Sequence, residues 1–273
     1  MTEEHPKRGK FVLFFQTFAV TFAMYSAIPM PHVVWNKDNM RYTNFFFPLV
    51  GAVVGGLFLL WYRLSLLAGF TGVLFAVIAT AISPLVTGCL HLDGFCDTTD
   101  SLFSSRPREE KLKIMKDPHA GTFAVIGAVL LLLLRFGALY EVYAVQSDRA
   151  VYILALTPVL ARIYSGYSVA RFPKARKDGL VVAFGSPSGP ATGPVLIVFA
   201  GIVSLLMILV SPAPGLVTSL LVLLSFLGYK RMSMRVYGGI TGDLAGFFLE
   251  TAEAAGLLGL ALFSGLMVTG GIL

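Results

Sequence analysis

The stretch TFAVIGAVLLLLLRFGALYEVYAV, from Thr122 to Val145, contains one basic and one acidic residue in an otherwise largely apolar run. About 20 residues in an α-helix are enough to cross the hydrocarbon core of a bilayer. Lipid offers no partner for backbone N–H and C=O groups, so a spanning segment must be a helix or part of a closed barrel. The unbroken length of this run favours a transmembrane helix.

Apolar runs of the same kind occupy much of the remaining chain: Phe11 to Ile28, Phe45 to Ala68, Phe70 to Leu90, Val151 to Ala170, Ala191 to Val210, Leu216 to Tyr229 and Leu244 to Gly270. Hydrophobic residues make up 56% of the chain, charged residues 13%, and the mean hydropathy is +0.78. These values exclude an ordinary soluble domain. No linker divides the chain, so residues 1–273 are predicted to form a single membrane-embedded domain. The predicted fold class is all-α, a polytopic transmembrane helical bundle.

Basic residues are concentrated in three polar stretches between these runs: Arg106 to Lys116, Arg171 to Lys177 and Lys230 to Arg235. Two apolar runs separate each stretch from the next, so all three are expected on one side of the membrane. The positive-inside rule identifies that side as the cytoplasm. This placement beside membrane segments accounts for the net charge of +6, and no nucleic-acid partner is expected.

The first apolar run needs a different arrangement, because a span there would export the basic residues that precede it. Its polar side chains and its double-proline end also set it apart: Gln16, Thr17, Thr21, Ser26 and Pro29-Met30-Pro31, after Lys7, Arg8 and Lys10. We predict a re-entrant or interfacial helix with a cytoplasmic N-terminus. About seven true spans remain, although Leu216 to Tyr229 is short for a span.

A cluster of carboxylates follows the run that ends at Leu90, in the sequence HLDGFCDTTDS from His91 to Ser101. On a helix, positions i, i+4 and i+7 fall within an arc of about 60°, so Asp93, Asp97 and Asp100 would face one small volume. Three such anions repel one another unless a hard cation lies among them. Mg²⁺ prefers a few carboxylates together with substrate phosphate oxygens. The motif therefore predicts metal-assisted phosphoryl chemistry at a membrane surface.

Two more carboxylates lie where the chain re-enters apolar sequence. Asp117 precedes Pro118, where an aspartate is often only a turn or cap residue. Asp243 ends the sequence GGITGD, which begins at Gly238. Its glycines could present N–H groups to a phosphate, or could form only a flexible loop. Because both positions are on the predicted side of the motif, the expected metal ligands are Asp93, Asp97, Asp117 and Asp243.

Ionisable residues inside the apolar runs are costly at membrane depth and are usually functional. Arg162 has no acid near it in sequence, so its partner is a carboxylate of the cluster or a substrate phosphate; its guanidinium fork fits a phosphate, and we predict the substrate contact. For Glu250 and Glu253 two interpretations stay open. They are functional groups, or they pair with Arg135 or Arg162.

Two histidines and two cysteines lie near the acidic motifs. His91 and His119 flank the motifs, and either could take a proton from an attacking hydroxyl or act as a structural hydrogen-bond donor. Cys89 and Cys96 lack the C-x-x-C spacing of a zinc site, so neither is expected to bind metal.

The sequence from His91 to Ser101 resembles the H-L-D-G-x-x-D-T-x-D-G signature of the membrane-embedded cobalamin synthase family, the adenosylcobinamide-GDP ribazoletransferases. Further blocks are similar to that family: Ile114 to Asp117 with Gly121 to Phe123, Ala175 to Leu180, and Gly238 to Gly246. The resemblance covers nearly the whole chain. Ser101 and Val181 stand where the family pattern has glycine, and Ser101 is expected only to stiffen the end of the motif.

The resemblance implies that a hydroxyl of α-ribazole, or of its 5′-phosphate, attacks the cobinamide-side phosphorus of adenosylcobinamide-GDP and releases GMP, with Mg²⁺ as cofactor. It implies an integral protein of the bacterial or archaeal cytoplasmic membrane whose active site faces the cytoplasm. Asp100 and His91 are the predicted catalytic residues. The predicted substrate-binding residues are Lys116, His119, Arg162, Arg176, Gly239, Thr241 and Gly242. The sequence leaves open the accepted base and the oligomeric state, a homo-oligomer included.

Two other classes of protein remain as alternatives. A CDP-alcohol phosphatidyltransferase-like lipid enzyme would also use interfacial carboxylates, but its D-x-x-D-G-x-x-A-R pattern does not occur in this sequence. An ion-coupled transporter would account for Arg162 and Glu250. It would require neither three aspartates at one segment end nor a glycine-rich loop.

Overall fold

A computed structural model of the chain describes residues 9–177 and 188–270, with the side chains at positions 10 and 264–270 excepted. The predictions that involve Lys7, Arg8, Val181 and positions 178–180 lie outside the described residues. Eleven α-helices account for most of the described chain. They are α1 Lys10–Tyr25, α2 Lys37–Met40, α3 Thr43–Ala68, α4 Gly72–Thr87, α5 Leu90–Phe103, α6 Arg108–Ile114, α7 Thr122–Ala144, α8 Asp148–Arg171, α9 Thr192–Val210, α10 Pro212–Met232 and α11 Gly242–Gly270.

The predicted class, an all-α bundle with about seven spans, is confirmed. Among the described residues, six helices are long and apolar enough to cross a membrane: α3, α7, α8, α9, α10 with the turn that follows it, and α11. The pair α4 and α5 passes the same test together but bends by 93° between the two helices, which makes a seventh segment. The predicted run from Phe70 to Leu90 is therefore the first half of a broken span or re-entrant element.

Helix α1 is too short to cross the bilayer as a straight span. Its 16 residues extend about 24 Å at 1.5 Å per residue, against a hydrocarbon core of about 30 Å. After α1, the Ala27 N–H donates to the Val86 carbonyl at 2.8 Å, which ties this segment to the break between α4 and α5. The short length agrees with the predicted re-entrant or interfacial helix.

Helix α10 is longer than the apolar run that predicted it. Proline occupies its first turn, where a missing N–H costs nothing, and the helix continues beyond Tyr229 to Met232. One turn of π-helix, Ser233–Tyr237, follows directly. The expectation of a short span was therefore wrong. The run from Lys230 to Arg235 is helical, because basic side chains are favourable at a helix C-terminus.

Helices α8 and α11 form the centre of the bundle. In their spanning windows, 78% of α8 and 67% of α11 is buried, compared with 22% of α9. Helix α8 packs against α3, α9 and α11, while α11 also packs against α5, α7 and α10. Their central position explains why these two helices carry ionisable residues that a lipid-facing helix could not carry without cost.

The three basic stretches meet at one end of the bundle, as their spacing predicted. The Arg176 guanidinium donates to the Leu112 carbonyl at 2.5 Å. The Arg108 guanidinium occupies the space that a side chain on Gly238 would need. We call this end, built from Arg106–Lys116, Arg171–Lys177 and Lys230–Arg235, the basic end.

Candidate active site

The aspartate motif lies on helix α5, as predicted, and α5 crosses the first turns of α11 at very short distance. A Cβ atom on Gly94 would lie 2.9 Å from the Cα of Asp243, and one on Gly246 would lie 2.9 Å from the His91 carbonyl oxygen. Only glycine allows the two backbones to approach this closely. The crossing places Asp243 beside the motif, although 150 residues separate Asp93 from Asp243 in the chain.

Three carboxylates therefore share one region. Asp93 and Asp243 line the same cavity. Asp97 follows Asp93 by one helical turn, and the charges of both Asp93 and Asp243 act on it. Asp243 has partners, a Thr241 hydroxyl at 3.3 Å and an Arg176 Nη1 at 3.8 Å. Within the described part of the chain, the carboxylates of Asp93 and Asp97 have no hydrogen bond or ion pair. This site is left with excess negative charge.

These carboxylates fit Mg²⁺ by donor chemistry but do not form a closed cage. Among the described residues, no group of three or more His, Cys, Asp or Glu side chains is arranged to hold a metal ion. Mg²⁺ is usually bound through one or two carboxylates, with waters and substrate phosphates completing its octahedron. Unneutralised carboxylates on Asp93 and Asp97 suit such an open site.

The carboxylate of Asp100 is hydrogen-bonded to the start of helix α7. Its two oxygens accept the backbone N–H of Gly121 at 2.5 Å and that of Ala124 at 2.8 Å. The first N–H groups of a helix lack intrahelical partners and carry the positive end of its dipole. Asp100 thus caps α7 from another helix, and the geometry does not support its predicted catalytic role.

Asp117 and His119 lie in an exposed turn between α6 and α7. The Asp117 carboxylate accepts the His119 backbone N–H at 3.0 Å and lies 2.8 Å from the His119 Nδ1. These two hydrogen bonds lower the pKa of the Asp117 carboxyl. Asp117 is not among the charges that act on Asp97. The structure therefore does not bring Asp117 to the other three carboxylates. Lys116 is exposed in the same turn.

The glycine-rich loop is packed against the basic end. The Gly239 N–H donates to the Ser233 carbonyl at 3.2 Å, and the Ile240 N–H to the Pro173 carbonyl at 2.8 Å. A Cβ on Gly239 would lie 2.5 Å from the Ala175 nitrogen. Gly239 therefore allows two backbone segments to pair, and its N–H is already used. The predicted substrate contact of Gly239 is not supported.

Thr241 and Gly242 begin helix α11 at the cavity. The Thr241 Oγ1 accepts the Leu244 N–H at 3.1 Å, as an N-cap side chain does. Gly242, the first helical residue, lines the cavity together with Asp243. The N-terminus of α11 therefore opens onto the cavity, in the position where helices bind phosphate groups.

A cavity that opens to solvent lies between helices α1, α3, α5, α8 and α11, with about 670 Å³ of space free of protein atoms when its mouth is included. Its polar side holds Asp93, Asp243 and His91, and its apolar side includes Tyr25 and Phe47. His91 is buried, and its ring lies 5.9 Å from that of Phe47. The predicted catalytic histidine is therefore at the cavity wall, whereas His119 is outside it.

Arg162 lies in a separate network of buried charges. Arg162 Nη1 is 2.7 Å from Glu253 Oε1, and Arg135 Nη1 is 2.7 Å from Glu250 Oε2. A third contact, 3.6 Å long, joins Arg135 to Glu253. Arg162 is fully buried, while its Nε and Nη2 have no described partner. The structure thus supports the pairing interpretation of the two glutamates and does not support a phosphate contact by Arg162.

Sequence reasoning missed the residues that hold the basic end together. Lys111 Nζ donates to the carbonyls of Ser101, Leu102 and Ser104 at 2.8, 2.8 and 2.5 Å, and so caps the C-terminus of α5. In the sequence this lysine lies in a run of basic residues that is already explained by the positive-inside rule, so its capping role could not be recognised. The buried Ser101 hydroxyl donates to the Lys111 carbonyl at 2.8 Å and lies 3.1 Å from the Tyr237 hydroxyl. Ser101 therefore does more than stiffen the motif.

Unneutralised carboxylates, a helix N-terminus and a basic end together define a membrane-embedded protein suited to phosphate-bearing ligands. The cobalamin-5-phosphate synthase family matches residues 17–261, and the chain belongs to this family.

Related proteins named adenosylcobinamide-GDP ribazoletransferase cover most of the chain. The protein of Lachnoclostridium phytofermentans is 36% identical over 92% of this chain and 95% of its own length. That of Desulfitobacterium hafniense is 34% identical over 88% of this chain and 94% of its own. That of Bradyrhizobium diazoefficiens is 36% identical over 79% and 81%. No solved structure matches the chain.

Proposed function

We propose that the chain is an adenosylcobinamide-GDP ribazoletransferase, which catalyses the final assembly step of cobalamin biosynthesis. It joins adenosylcobinamide-GDP to α-ribazole, or to its 5′-phosphate, and yields adenosylcobalamin, or its 5′-phosphate, with GMP. The observation that carries the proposal is the meeting of Asp93, Asp97 and Asp243 at the N-terminus of α11, in a chain of this family.

The pyrophosphate of the donor substrate binds where α11 begins. The first N–H groups of α11 at Gly242 and Asp243 face an anion favourably. Arg176, held by the Leu112 carbonyl at 2.5 Å and by Asp243 at 3.8 Å, supplies a guanidinium at the same place. Together they bind the phosphates beside the carboxylates, and Thr241 fixes the helix end that carries these groups.

The carboxylates of Asp93, Asp97 and Asp243 would hold Mg²⁺ together with the substrate. When bound, Mg²⁺ neutralises the charge of the pyrophosphate and of the departing phosphate. Asp97 makes no ion pair among the described residues, and Arg176, the cation whose charge acts on it, is already paired with Asp243.

In the transfer step, a hydroxyl oxygen of α-ribazole forms a bond to the cobinamide-side phosphorus. The bond from that phosphorus to the bridging oxygen breaks, and GMP departs with the electron pair. His91, at the wall of the cavity, accepts the proton of the attacking hydroxyl. Asp100 contributes by keeping α5 fixed against α7.

The basic end faces the cytoplasm of the bacterial or archaeal cell in this proposal, because three Lys- and Arg-rich stretches meet there. Lys113→Cys and Arg231→Cys, each in a chain that also carries Cys89→Ala and Cys96→Ala, test the orientation. An impermeant thiol reagent should label both only after the membrane is opened. Labelling of either cysteine in intact cells would contradict the orientation.

The activity itself is tested with purified protein in a lipid nanodisc. Adenosylcobinamide-GDP, α-ribazole and Mg²⁺ should yield GMP and adenosylcobalamin in equal amounts. Asp97→Asn should abolish product formation, while Glu141→Gln, an exposed acid of α7, should retain it. Failure of the wild-type protein to release GMP, with either α-ribazole or its 5′-phosphate, would refute the proposed function.

A further inference from the structure

The cavity beside the carboxylates has two chemically different sides. Asp93, Asp243 and the start of α11 are on one side. On the other are Met24 and Tyr25 of α1, Phe47 of α3, and Leu249 of α11. A ligand that fills this cavity must therefore combine a polar, hydroxyl- or phosphate-bearing part with an apolar part.

The apolar side contains a pair of aromatic rings. The ring centroids of Tyr25 and Phe47 are 4.0 Å apart, and the planes are tilted by 31°. Aromatic side chains bind nucleobases by stacking, because every base has a π-face.

The size of the cavity distinguishes between the two substrates, α-ribazole and adenosylcobinamide-GDP. The space between these walls, with its open mouth included, is about 670 Å³, which leaves room for a ligand the size of a nucleoside. The corrin ring with its side chains is several times larger and cannot enter. Guanosine would fit by size, but its base carries polar edges that Met24, Phe47 and Leu249 cannot satisfy, and such groups are costly to bury without hydrogen bonds. The methylated benzimidazole of α-ribazole is largely apolar.

We propose that this cavity is the α-ribazole subsite, in which the benzimidazole packs against Tyr25, whose ring lies on the buried Phe47, and the ribose hydroxyls face Asp93 and Asp243. The corrinoid stays outside, at the open mouth. In this arrangement helix α1 is a specificity element of the acceptor site. The inference rests on the proposed function, since it takes α-ribazole as the acceptor.

Direct binding tests the subsite without turnover and without Mg²⁺. Equilibrium dialysis of labelled α-ribazole against the full-length protein compares the wild type with Tyr25→Ala, Tyr25→Phe and Phe15→Ala. Phe15 is a matched control because it is an exposed aromatic residue of the same helix. Tyr25→Ala should raise the Kd for α-ribazole roughly tenfold to a hundredfold, as expected for a lost base-stacking contact. Tyr25→Phe and Phe15→Ala should leave it close to the wild-type value.

Kinetics and competition separate this inference from its rivals. Tyr25→Ala should raise the KM for α-ribazole and leave the KM for adenosylcobinamide-GDP unchanged. Equal rises in both KM values, or an unchanged Kd in folded Tyr25→Ala protein, would overturn the subsite. Displacement of α-ribazole by GMP would assign the cavity to guanosine, and displacement by added phospholipid would assign it to a lipid chain. Wild-type protein that binds α-ribazole but releases no GMP would refute the proposed function while leaving the subsite intact.

Discussion

Helix α11 carries two acidic sites that differ in their surroundings. At its N-terminal end, Asp243 lies beside Asp93 and Asp97, two carboxylates without a described partner. Two turns further along, Glu250 and Glu253 lie 2.7 Å from Arg135 and Arg162, respectively. The interior acids are neutralised by cations from α7 and α8. At the other site Arg176 pairs with Asp243, and Asp93 and Asp97 are left without an ion pair.

The difference shows that depth in the membrane does not by itself identify a functional charge. An ion moved out of water pays a desolvation penalty, so the interior tolerates Glu250 and Glu253 only with arginines beside them. At the protein surface water lowers this penalty, and an acid can stay unpaired until a ligand arrives. Missing counter-charges, rather than burial, therefore indicate the binding site in this molecule.

The largest expected effect comes from breaking the interior network. Arg135→Met leaves Glu250, which is 2% exposed, without its cation, and we expect a loss of about 3–5 kcal/mol of stability. Thermal unfolding in detergent measures it. The double variant Arg135→Met with Glu250→Met should recover much of that loss, because the buried charge is gone. A stable but inactive Arg135→Met protein would mean that the interior charges take part in the chemistry.

At the basic end the opposite behaviour is expected. Asp97→Asn removes a charge without a protein partner, so the fold should keep its stability while kcat/KM falls by at least about a hundredfold, or ~2.7 kcal/mol. GMP release at saturating and at limiting Mg²⁺ measures the loss. Normal turnover of Asp97→Asn at limiting Mg²⁺ would remove Asp97 from the site.

Asp100 provides the clearest test of the difference between the two kinds of acid. It is part of the aspartate motif in the sequence, but its contacts in the structure stabilise helix α7. Asp100→Ala should cost about 1–2 kcal/mol through the lost cap of α7. Asp100→Asn, which keeps an acceptor oxygen, should cost less and retain most of the activity. If Asp100→Asn instead lost activity as Asp97→Asn does, at unchanged melting temperature, the capping interpretation would be wrong.

The smallest effect concerns Lys174 at the C-terminus of α8, whose Nζ donates to the Val169 and Phe172 carbonyls. Burial lowers the pKa of this lysine from 10.5 to about 8. Between pH 8 and 10.5 the unfolded chain binds more protons at this position, so stability should rise with pH in that window, by less than about 1 kcal/mol after solvent screening. Lys174→Met should remove this rise, as the difference between the two unfolding curves will show. An equal pH dependence in both proteins would contradict the lowered pKa.

Local pattern was enough to predict the bundle and the helical aspartate motif. In lipid, a sufficiently long apolar run must form a helix or part of a closed barrel, because its backbone polar groups have no other hydrogen-bond partners. The spacing of Asp93, Asp97 and Asp100 predicts one helical face, and all three do lie on helix α5, but the Asp100 carboxylate binds α7. The length of α10 was underestimated because apolarity ends at Tyr229 while the helix continues with basic residues.

The sequence could not predict which acids line the cavity and which cap a helix, because this depends on contacts between distant segments. Asp100 and Asp97 belong to one pattern, yet only Asp100 meets the start of α7, at Gly121. Likewise, the glycines of the loop before α11 resemble a phosphate cradle, but Gly239 faces the backbone at Ala175. Spacing in the sequence shows which residues share a helix face. It does not show which distant segment packs against each of those residues.

The cavity is walled by Tyr25 near the start of the chain and by Asp243 and Leu249 near its end. During synthesis, helix α1 leaves the ribosome long before α11 exists, and the chain emerges at about 5–20 residues per second. The binding site therefore cannot form in any nascent chain that lacks helix α11. A chain whose synthesis stops before α11 would contain most of the helices of the bundle but would lack this cavity, and we expect it to have no activity.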